Sequence, residues 1–169
     1  DFQVVDVPWE GRGRRMDECM EIVRGLTRGG FFSYKGEFYD VPSIEITPTP
    51  TEPLPLLVGG HSKPALRRAA RLGDGWMHAG GDPVELGDML ARLQALRREY
   101  GREREPFEVH VISMEVFSVD GIKRLEDLGV TDAIVGFRNA YAKEQDRQTL
   151  EEKLAALRGY ADGVIAKVR

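Results

Sequence analysis

Four consecutive residues, Gly59-Gly60-His61-Ser62, have the types and the spacing that hold a phosphate group. They follow the short apolar run Leu54–Val58, which predicts a strand covered on both faces, and they precede a helical pattern. A glycine pair that leads into a helix N-terminus exposes backbone N–H groups at the positive end of the helix dipole. Any connection between a strand and a helix also needs a tight turn, so a purely structural role for the glycines stays open.

Polar residues at the ends of two other predicted strands are further candidates for a pocket. His78 ends the strand that contains Trp76, and Arg138 and Asn139 follow the apolar run 133–137. In a barrel of parallel strands the carboxyl ends face the active site, so His78 is placed to contact a substrate or cofactor. A hydrogen-bonded structural histidine is the alternative. Arg138 and Asn139 either hold a substrate anion or cofactor tail or are ordinary solvated loop residues.

The sequence predicts no metal site. His61, His78 and His110 are far apart along the chain and lack close carboxylate or thiol partners. His110 and Glu115 differ by an odd number of positions, so a strand would point them to opposite faces. The one cysteine, Cys19, lies on the apolar stripe of a predicted helix, which indicates a buried, inert thiol rather than a nucleophile.

Charge and hydropathy argue against two classes of partner. Aspartate and glutamate number 28 against 24 lysines and arginines, and the absence of a long basic block argues against nucleic acid. No apolar run approaches the roughly 20 residues of a membrane-spanning helix, and the first residues do not resemble a signal peptide. A single cysteine excludes an internal disulfide and predicts a cytoplasmic protein.

The first 52 residues predict a helix, a hairpin and a linker. The helix covers about residues 13–26, and Gly29-Gly30 end it. The aromatic runs 31–34 and 37–39 around Lys35-Gly36 predict a β-hairpin. The alternating run 43–47 predicts an edge strand, and the prolines of 48–53 predict an extended connector.

From residue 53 onward, strand and helix patterns alternate, which predicts an α/β fold. After Leu54–Val58, the predicted strands are one that ends at His78, then 107–117 and 133–137. The predicted helix caps are Ser62, Asp82, Asp120 and Thr149. The last helix is expected to turn its apolar residues inward: Leu150, Leu154, Leu157, Val164, Ile165 and Val168.

Two long stretches resemble the luciferase-like family of flavin- or deazaflavin-dependent monooxygenases and reductases. Residues 57–62 and 65–76 resemble its signature, and 11–18 and 36–39 come upstream in the order that the family shows. The resemblance implies a TIM barrel of which 1–169 form the C-terminal half, as a single partial-barrel domain. We expect an N-terminal helix, a small β-hairpin insertion and a linker over 1–52, then about four βα units over 53–169. At 169 residues the chain is shorter than the ~250 of a whole barrel, so it is either a fragment or a processed product.

The resemblance also implies a function and a partner. It implies an oxidoreductase or monooxygenase that acts on a small organic substrate with FMN or an 8-hydroxy-5-deazaflavin, without deciding between the two. It assigns the phosphate end of that cofactor to Gly59, Gly60, His61 and Ser62, and it places most groups that orient the cofactor ring before residue 1. Since four parallel strands leave open edges, we expect a homodimer. The alternative is a non-catalytic half-barrel, a scaffold or assembly module with at most a residual phosphate site.

Overall fold

The computed structural model describes residues 2–138 and 143–168 of the chain. A helix and a hairpin form its first part. Helix α1 spans Arg12–Leu26, and the antiparallel strands β1 and β2 span Phe32–Lys35 and Asp40–Ile44. The predicted first helix and hairpin are therefore confirmed. The apolar stripe of α1 is only half-buried, which corrects the expected burial of Cys19, whose thiol lies 3.4 Å from the Tyr39 hydroxyl oxygen.

A carboxylate of α1 determines where the second hairpin strand begins. Glu18 accepts hydrogen bonds from the backbone N–H groups of Glu37, Phe38 and Tyr39 at 2.6 Å, 3.0 Å and 3.1 Å. Residues 37–39 therefore form the turn, and the prediction that they are a strand is wrong. The separate edge strand predicted over 43–47 is also wrong, because β2 pairs with β1 and ends at Ile44.

A four-stranded parallel sheet lies at the centre of the fold, and helices follow its strands. The strands, in the order of the sheet, are β3 (Leu57–Gly59), β4 (Gly75–His78), β5 (Glu108–Ile112) and β6 (Asp132–Ile134). The helices are α2 (Lys63–Leu72), α3 (Pro83–Glu99), α4 (Val119–Asp127), α5 (Leu150–Tyr160) and, after a π-helical segment Ala161–Ile165, α6 (Ala166–Val168). This arrangement confirms the predicted α/β class.

Helices cover one face of this sheet. Val58, Trp76, Val109 and Val111 alternate along the strands and belong to one buried cluster. The helical members of that cluster include Leu66, Ala69, Ala70, Leu86, Leu90, Leu93 and Leu125. Residues of the opposite face, such as Met77, His110 and Ile112, are half-buried or exposed. The prediction that the strands are covered on both faces is therefore wrong within the described residues.

Several predicted boundaries move because polar side chains bond to the backbone. The predicted strand 107–117 is β5 followed by a 3-10 helix, Met114–Phe117, which begins where the Ser113 hydroxyl accepts a hydrogen bond from the Glu115 N–H. Ser118, not Asp120, caps α4, since its hydroxyl accepts from the Gly121 N–H at 3.1 Å. At the first strand, Leu54 is exposed and pairing begins only at Leu57.

The C-terminal helix begins as predicted but packs less tightly than expected. Thr149 and Glu152 form the predicted capping box at its N-terminus. Of the residues expected to point inward, only Val164 is buried, while Leu150 is 73% exposed and Leu157 is 51% exposed. The apolar face of α5 therefore stays largely open in the described part of the chain.

Candidate functional site

The turn between β3 and α2 has the backbone geometry of an anion cradle. Gly60 adopts a left-handed φ of 109°, and a Cβ there would lie 3.2 Å from the Ala65 Cβ. A Cβ at Gly59 would meet no atom within 4 Å, so open space adjoins the turn at that position. Ser62 caps α2 by accepting a hydrogen bond from the Ala65 N–H at 3.3 Å, and Pro64 follows in the first helical turn. These features confirm the predicted cap and place the turn at a helix N-terminus.

The N–H groups of the turn are available to a ligand. Within the described residues, the backbone N–H groups of His61 and Ser62 have no hydrogen-bond acceptor. The Gly60 carbonyl, in contrast, accepts a hydrogen bond from the Trp76 indole N–H at 2.9 Å. Because unpaired N–H groups at the N-terminus of a helix attract negative charge, the turn is suited to an anion.

Two predicted site residues meet beside this turn. The rings of His61 and His78 stack with centroids 4.6 Å apart and an angle of 13° between their planes. Trp76 lies against both rings, with centroids 6.3 Å from His61 and 5.6 Å from His78. Although they are far apart in the chain, the parallel pairing of β3 with β4 places the two histidines at adjacent strand ends.

His78 is a buried polar group with unused hydrogen-bonding capacity. Its side chain is 1% exposed, and neither ring nitrogen has a hydrogen-bond partner of ordinary geometry in the described residues. Burial, and then the neighbouring His61, lower the pKa of His78 below its ordinary value. The Ile112 carbonyl and the Glu85 carboxylate oppose this shift of the pKa. His78 is therefore a neutral imidazole at neutral pH.

These features fit the phosphate end of the cofactor that the family resemblance implies. A side chain at Gly59 would enter open space, and the turn offers free backbone N–H groups as donors. A buried imidazole with unpartnered nitrogens lies directly behind it. Unsatisfied buried polar atoms are uncommon in folded proteins and often mark a site that binds water, an ion or a ligand.

Of the other two predicted pocket residues, Arg138 does not join this cluster. Arg138 is exposed, and its guanidinium donates to the Glu144 carbonyl oxygen at 2.5 Å. Asn139 lies outside the described residues. Arg138 therefore pairs with its own loop, which favours the solvated-loop interpretation over a role at the glycine turn.

A second polar cluster was missed from the sequence. His110 Nε2 lies 2.8 Å from a Glu108 carboxylate oxygen and 3.3 Å from an Asp132 carboxylate oxygen. One ligand atom from each residue lies within 4.8 Å of the others, which is close enough to surround a metal ion. Period 2 puts Glu108 and His110 on one face, so this pair was visible in the sequence, whereas the contact with Asp132 depends on strand pairing. The absence of a metal remains a prediction.

Comparison with known proteins relates this geometry to a family. Residues 1–164 match the family described as luciferase-like monooxygenase. An uncharacterized protein of Mycobacterium bovis is 56% identical over 168 residues, and the match covers 99% of this chain and 58% of that relative. A 5,10-methylenetetrahydromethanopterin reductase of Archaeoglobus fulgidus is 29% identical over 116 residues, covering 68% of this chain and 35% of the relative.

Solved structures agree with the fold. The coenzyme F420-dependent tetrahydromethanopterin reductase of Methanopyrus kandleri superposes with a TM-score of 0.69 at 14% identity, covering 93% of this chain and 64% of that one. None of the described helices is long and apolar enough to cross a membrane. The chain spans just under three fifths of the length of its mycobacterial relative. By its sequence and its fold, this chain belongs to the luciferase-like monooxygenase family.

Proposed function

We propose that this chain carries the cofactor-phosphate site of a flavin- or deazaflavin-dependent oxidoreductase or monooxygenase that acts on a small organic substrate. The observation that carries the proposal is the Gly59–Ser62 turn, which offers free N–H groups and open space at the N-terminus of α2. Relatives support both cofactor classes, since they include an FMNH(2)-dependent dimethylsulfone monooxygenase of Pseudomonas fluorescens and F420-dependent glucose-6-phosphate dehydrogenases.

The residues of the turn have separate roles in this proposal. The N–H groups of His61 and Ser62 donate to the phosphate oxygens, and the α2 dipole favours the negative charge. Ser62 also keeps the helix end in place, because its hydroxyl oxygen caps α2. The bound cofactor supplies the hydride-transfer or oxygen chemistry. The contribution of this chain is to hold and orient the phosphate end.

A titration with two cofactors tests the site. The purified chain is titrated with FMN and, separately, with an 8-hydroxy-5-deazaflavin cofactor, and binding is followed by fluorescence. Gly59→Ala is the sharpest variant, because its Cβ enters open space in the free protein but occupies the cradle. Gly60→Val adds a side chain at a left-handed φ. The matched control is Gly159→Ala in α5, where a Cβ also meets no atom within 4 Å.

The outcomes distinguish the two candidate functions. Saturable binding that Gly59→Ala and Gly60→Val weaken, while Gly159→Ala leaves it unchanged, supports the cofactor site. Tighter binding of one cofactor then selects flavin or deazaflavin. If neither cofactor binds at any concentration up to about 1 mM, or if the turn variants bind as well as the control, the cofactor site is wrong. The non-catalytic scaffold is then the better account.

We also propose that residues 1–169 form one partial-barrel domain in the cytoplasm, and that two copies associate. Strands β3 and β6 lie at the two edges of the sheet, and the face with Met77 and His110 lacks a helical cover in the described residues. Open edges and an uncovered face favour pairing with a second chain. Light scattering after size-exclusion chromatography tests this proposal, and a monodisperse monomer at micromolar concentration contradicts it.

A further inference from the structure

We propose that Glu108, His110 and Asp132 form a binding site for a divalent transition-metal ion such as Zn²⁺. The site lies on the uncovered face of the parallel sheet and does not depend on the proposed cofactor site. It goes against the prediction, made from the sequence, that the chain has no metal site. The contact between His110 and Asp132 forms only when β5 and β6 pair, so the sequence pattern did not contain it.

Strand register brings the three side chains together. Glu108 and His110 are two positions apart on β5, so they point to the same face of the sheet. Asp132 begins β6 and is paired directly with His110. On the other side of β5, Glu108 is paired with Gly75, where a Cβ would lie 3.0 Å from the Glu108 Cβ. The glycine therefore leaves space beside the Glu108 side chain.

The possible ligand atoms have separations that suit a metal ion. His110 Nε2 lies 2.8 Å from a Glu108 carboxylate oxygen and 3.3 Å from an Asp132 carboxylate oxygen. One ligand atom from each residue lies within 4.8 Å of the others. Metal–ligand bonds of about 2.1 Å place neighbouring ligand atoms about 3.0 to 3.4 Å apart. Small side-chain rotations are therefore enough for one ion to contact all three groups.

The charge of the cluster favours a cation. Glu108 and Asp132 are both carboxylates, and within the described residues neither forms a salt bridge with a lysine or an arginine. A protonated His110 would offset only one of their two negative charges. A divalent ion held by a neutral imidazole and two carboxylates leaves the site neutral. Because uncompensated charge is costly where side chains are partly buried, the charge balance favours a bound divalent ion.

The donor set indicates the class of metal. One imidazole nitrogen with two carboxylate oxygens suits Zn²⁺ and other first-row transition metals, whereas Mg²⁺ and Ca²⁺ favour oxygen donors alone. The described part of the chain supplies three ligands, so water molecules complete the coordination. Glu108 and His110 are half-buried and Asp132 is exposed, which gives the ion a path from solvent.

Thr131 positions one of the ligands. Its hydroxyl donates a hydrogen bond at 2.8 Å to Asp132 Oδ2, the oxygen that lies 3.3 Å from His110 Nε2. The Val109 N–H donates in turn to the Thr131 hydroxyl oxygen at 2.8 Å, which fixes that hydroxyl beside β5. Loss of such an outer partner typically lowers metal affinity about 10- to 100-fold. Thr131 is therefore a positioning residue of the proposed site.

The location of the cluster indicates a structural role. Glu108 and Asp132 are the first residues of β5 and β6, whereas the glycine turn follows the last residue of β3. In a parallel sheet these positions lie at opposite ends of the strands, so the metal is remote from the proposed cofactor. It ties the edge strand β6 to β5. An ion that binds only the folded chain stabilises that chain as the ion concentration rises.

Isothermal titration calorimetry of the whole 169-residue chain with Zn²⁺ and, separately, with Mg²⁺ tests the site. His110→Gln and Asp132→Asn each remove one ligand with little change in size. Thr131→Val removes the positioning hydroxyl, and Thr131→Ser keeps it. The matched controls are His61→Gln and Cys19→Ser, because the stacked histidines and the one thiol are other groups to which zinc can bind.

We expect one Zn²⁺ ion per chain in the wild type and in both controls, and weaker binding of Mg²⁺. Zn²⁺ affinity should fall at least about tenfold in His110→Gln and in Asp132→Asn. It should also fall about tenfold in Thr131→Val and return to nearly the wild-type value in Thr131→Ser. Zn²⁺ should raise the thermal unfolding midpoint of the wild type more than that of either ligand variant.

NMR of the wild type adds a test that needs no substitution. Zn²⁺ should shift the ring signals of His110 and leave those of His61 and His78 in place. The proposal is wrong if the wild type does not bind Zn²⁺ saturably, if the ligand variants bind it as tightly as the wild type, or if the His61 or His78 signals shift in place of those of His110. Loss of binding in either control variant would also contradict it. Equal Zn²⁺ affinities of Thr131→Val and Thr131→Ser would overturn the positioning role of Thr131.

Discussion

The indole N–H of Trp76 donates a hydrogen bond to the Gly60 carbonyl oxygen at 2.9 Å. Trp76 is completely buried in the core between the sheet and the helices, whereas Gly60 lies in the exposed turn that follows the neighbouring strand. The hydrogen bond therefore ties the turn to the hydrophobic core. It also fixes the direction of the Gly60 peptide carbonyl. That carbonyl points toward Trp76, away from the side of the turn on which an anion would need N–H donors.

Replacing this indole is expected to loosen the turn. Trp76→Phe removes the N–H donor and leaves unfilled volume in the core, so the free energy of unfolding should fall by about 1–3 kcal/mol. Cofactor affinity should fall as well. Urea denaturation and the binding titration measure the two effects. Trp9→Phe is the control, because Trp9 is 54% exposed, and an equal effect of both substitutions would contradict the anchoring role.

The stability of the chain should decline as the pH falls below about 6.5, the ordinary pKa of histidine. Burial and the neighbouring His61 lower the pKa of folded His78, so the unfolded chain binds a proton at that position before the folded chain does. The contribution is complete above the unfolded pKa and is lost as the pH falls toward the folded pKa, by at most about 1.4 kcal/mol per pH unit. Denaturation midpoints between pH 8 and 5 measure it.

The His78→Phe variant separates this contribution from the rest of the acid response. Its stability should fall less steeply between pH 6.5 and 5 than that of the wild type, because the variant has no imidazole to protonate in the unfolded state. His110→Gln should keep the wild-type contribution from His78. Equal slopes for the wild type and His78→Phe would show that His78 does not contribute.

Among the polar residues outside the turn, Asp74 should be one of those whose substitution lowers the stability of the chain most. Its carboxylate accepts from the Leu56 N–H at 2.9 Å and from the Arg24 guanidinium at 2.8 Å, which joins α1 to the segment before β3. Asp74→Ala leaves both donors without this partner and should lower the free energy of unfolding by about 2–3 kcal/mol. Asp127→Ala, an exposed carboxylate at the end of α4, should change it by less than about 0.5 kcal/mol. Thermal and urea denaturation compare the two.

Glu18 should control the local stability of the hairpin turn. Glu18→Ala removes the acceptor for the N–H groups of Glu37, Phe38 and Tyr39, so these amides should exchange with deuterium about 10 to 100 times faster. Hydrogen exchange followed by NMR measures the change. Glu21→Ala is the matched control on the same helix, since Glu21 contacts the Tyr34 hydroxyl and not the turn. Unchanged exchange in Glu18→Ala would contradict this role.

Local patterns were sufficient to predict the elements that depend on neighbouring residues. The Ser62 and Asp82 caps, the Thr149 capping box and the buried stripe of α2 are all present as expected. Each of these features depends on side chains three or four positions apart, so the sequence contains the necessary information. The strand that ends at His78 was predicted for a similar reason, because a short apolar run between glycine turns has few alternatives.

The sequence by itself determined the α/β class, the glycine turn at a helix N-terminus and the family. Only the tertiary structure decided which side chains meet. The pairing of β3 with β4 stacks His61 on His78, and the pairing of β5 with β6 brings Asp132 to His110. The tertiary structure also showed that Glu18 makes residues 37–39 a turn and that the α5 leucines remain exposed. These contacts join residues that are distant in the chain. They are determined by strand register and helix packing, and no local sequence pattern encodes either.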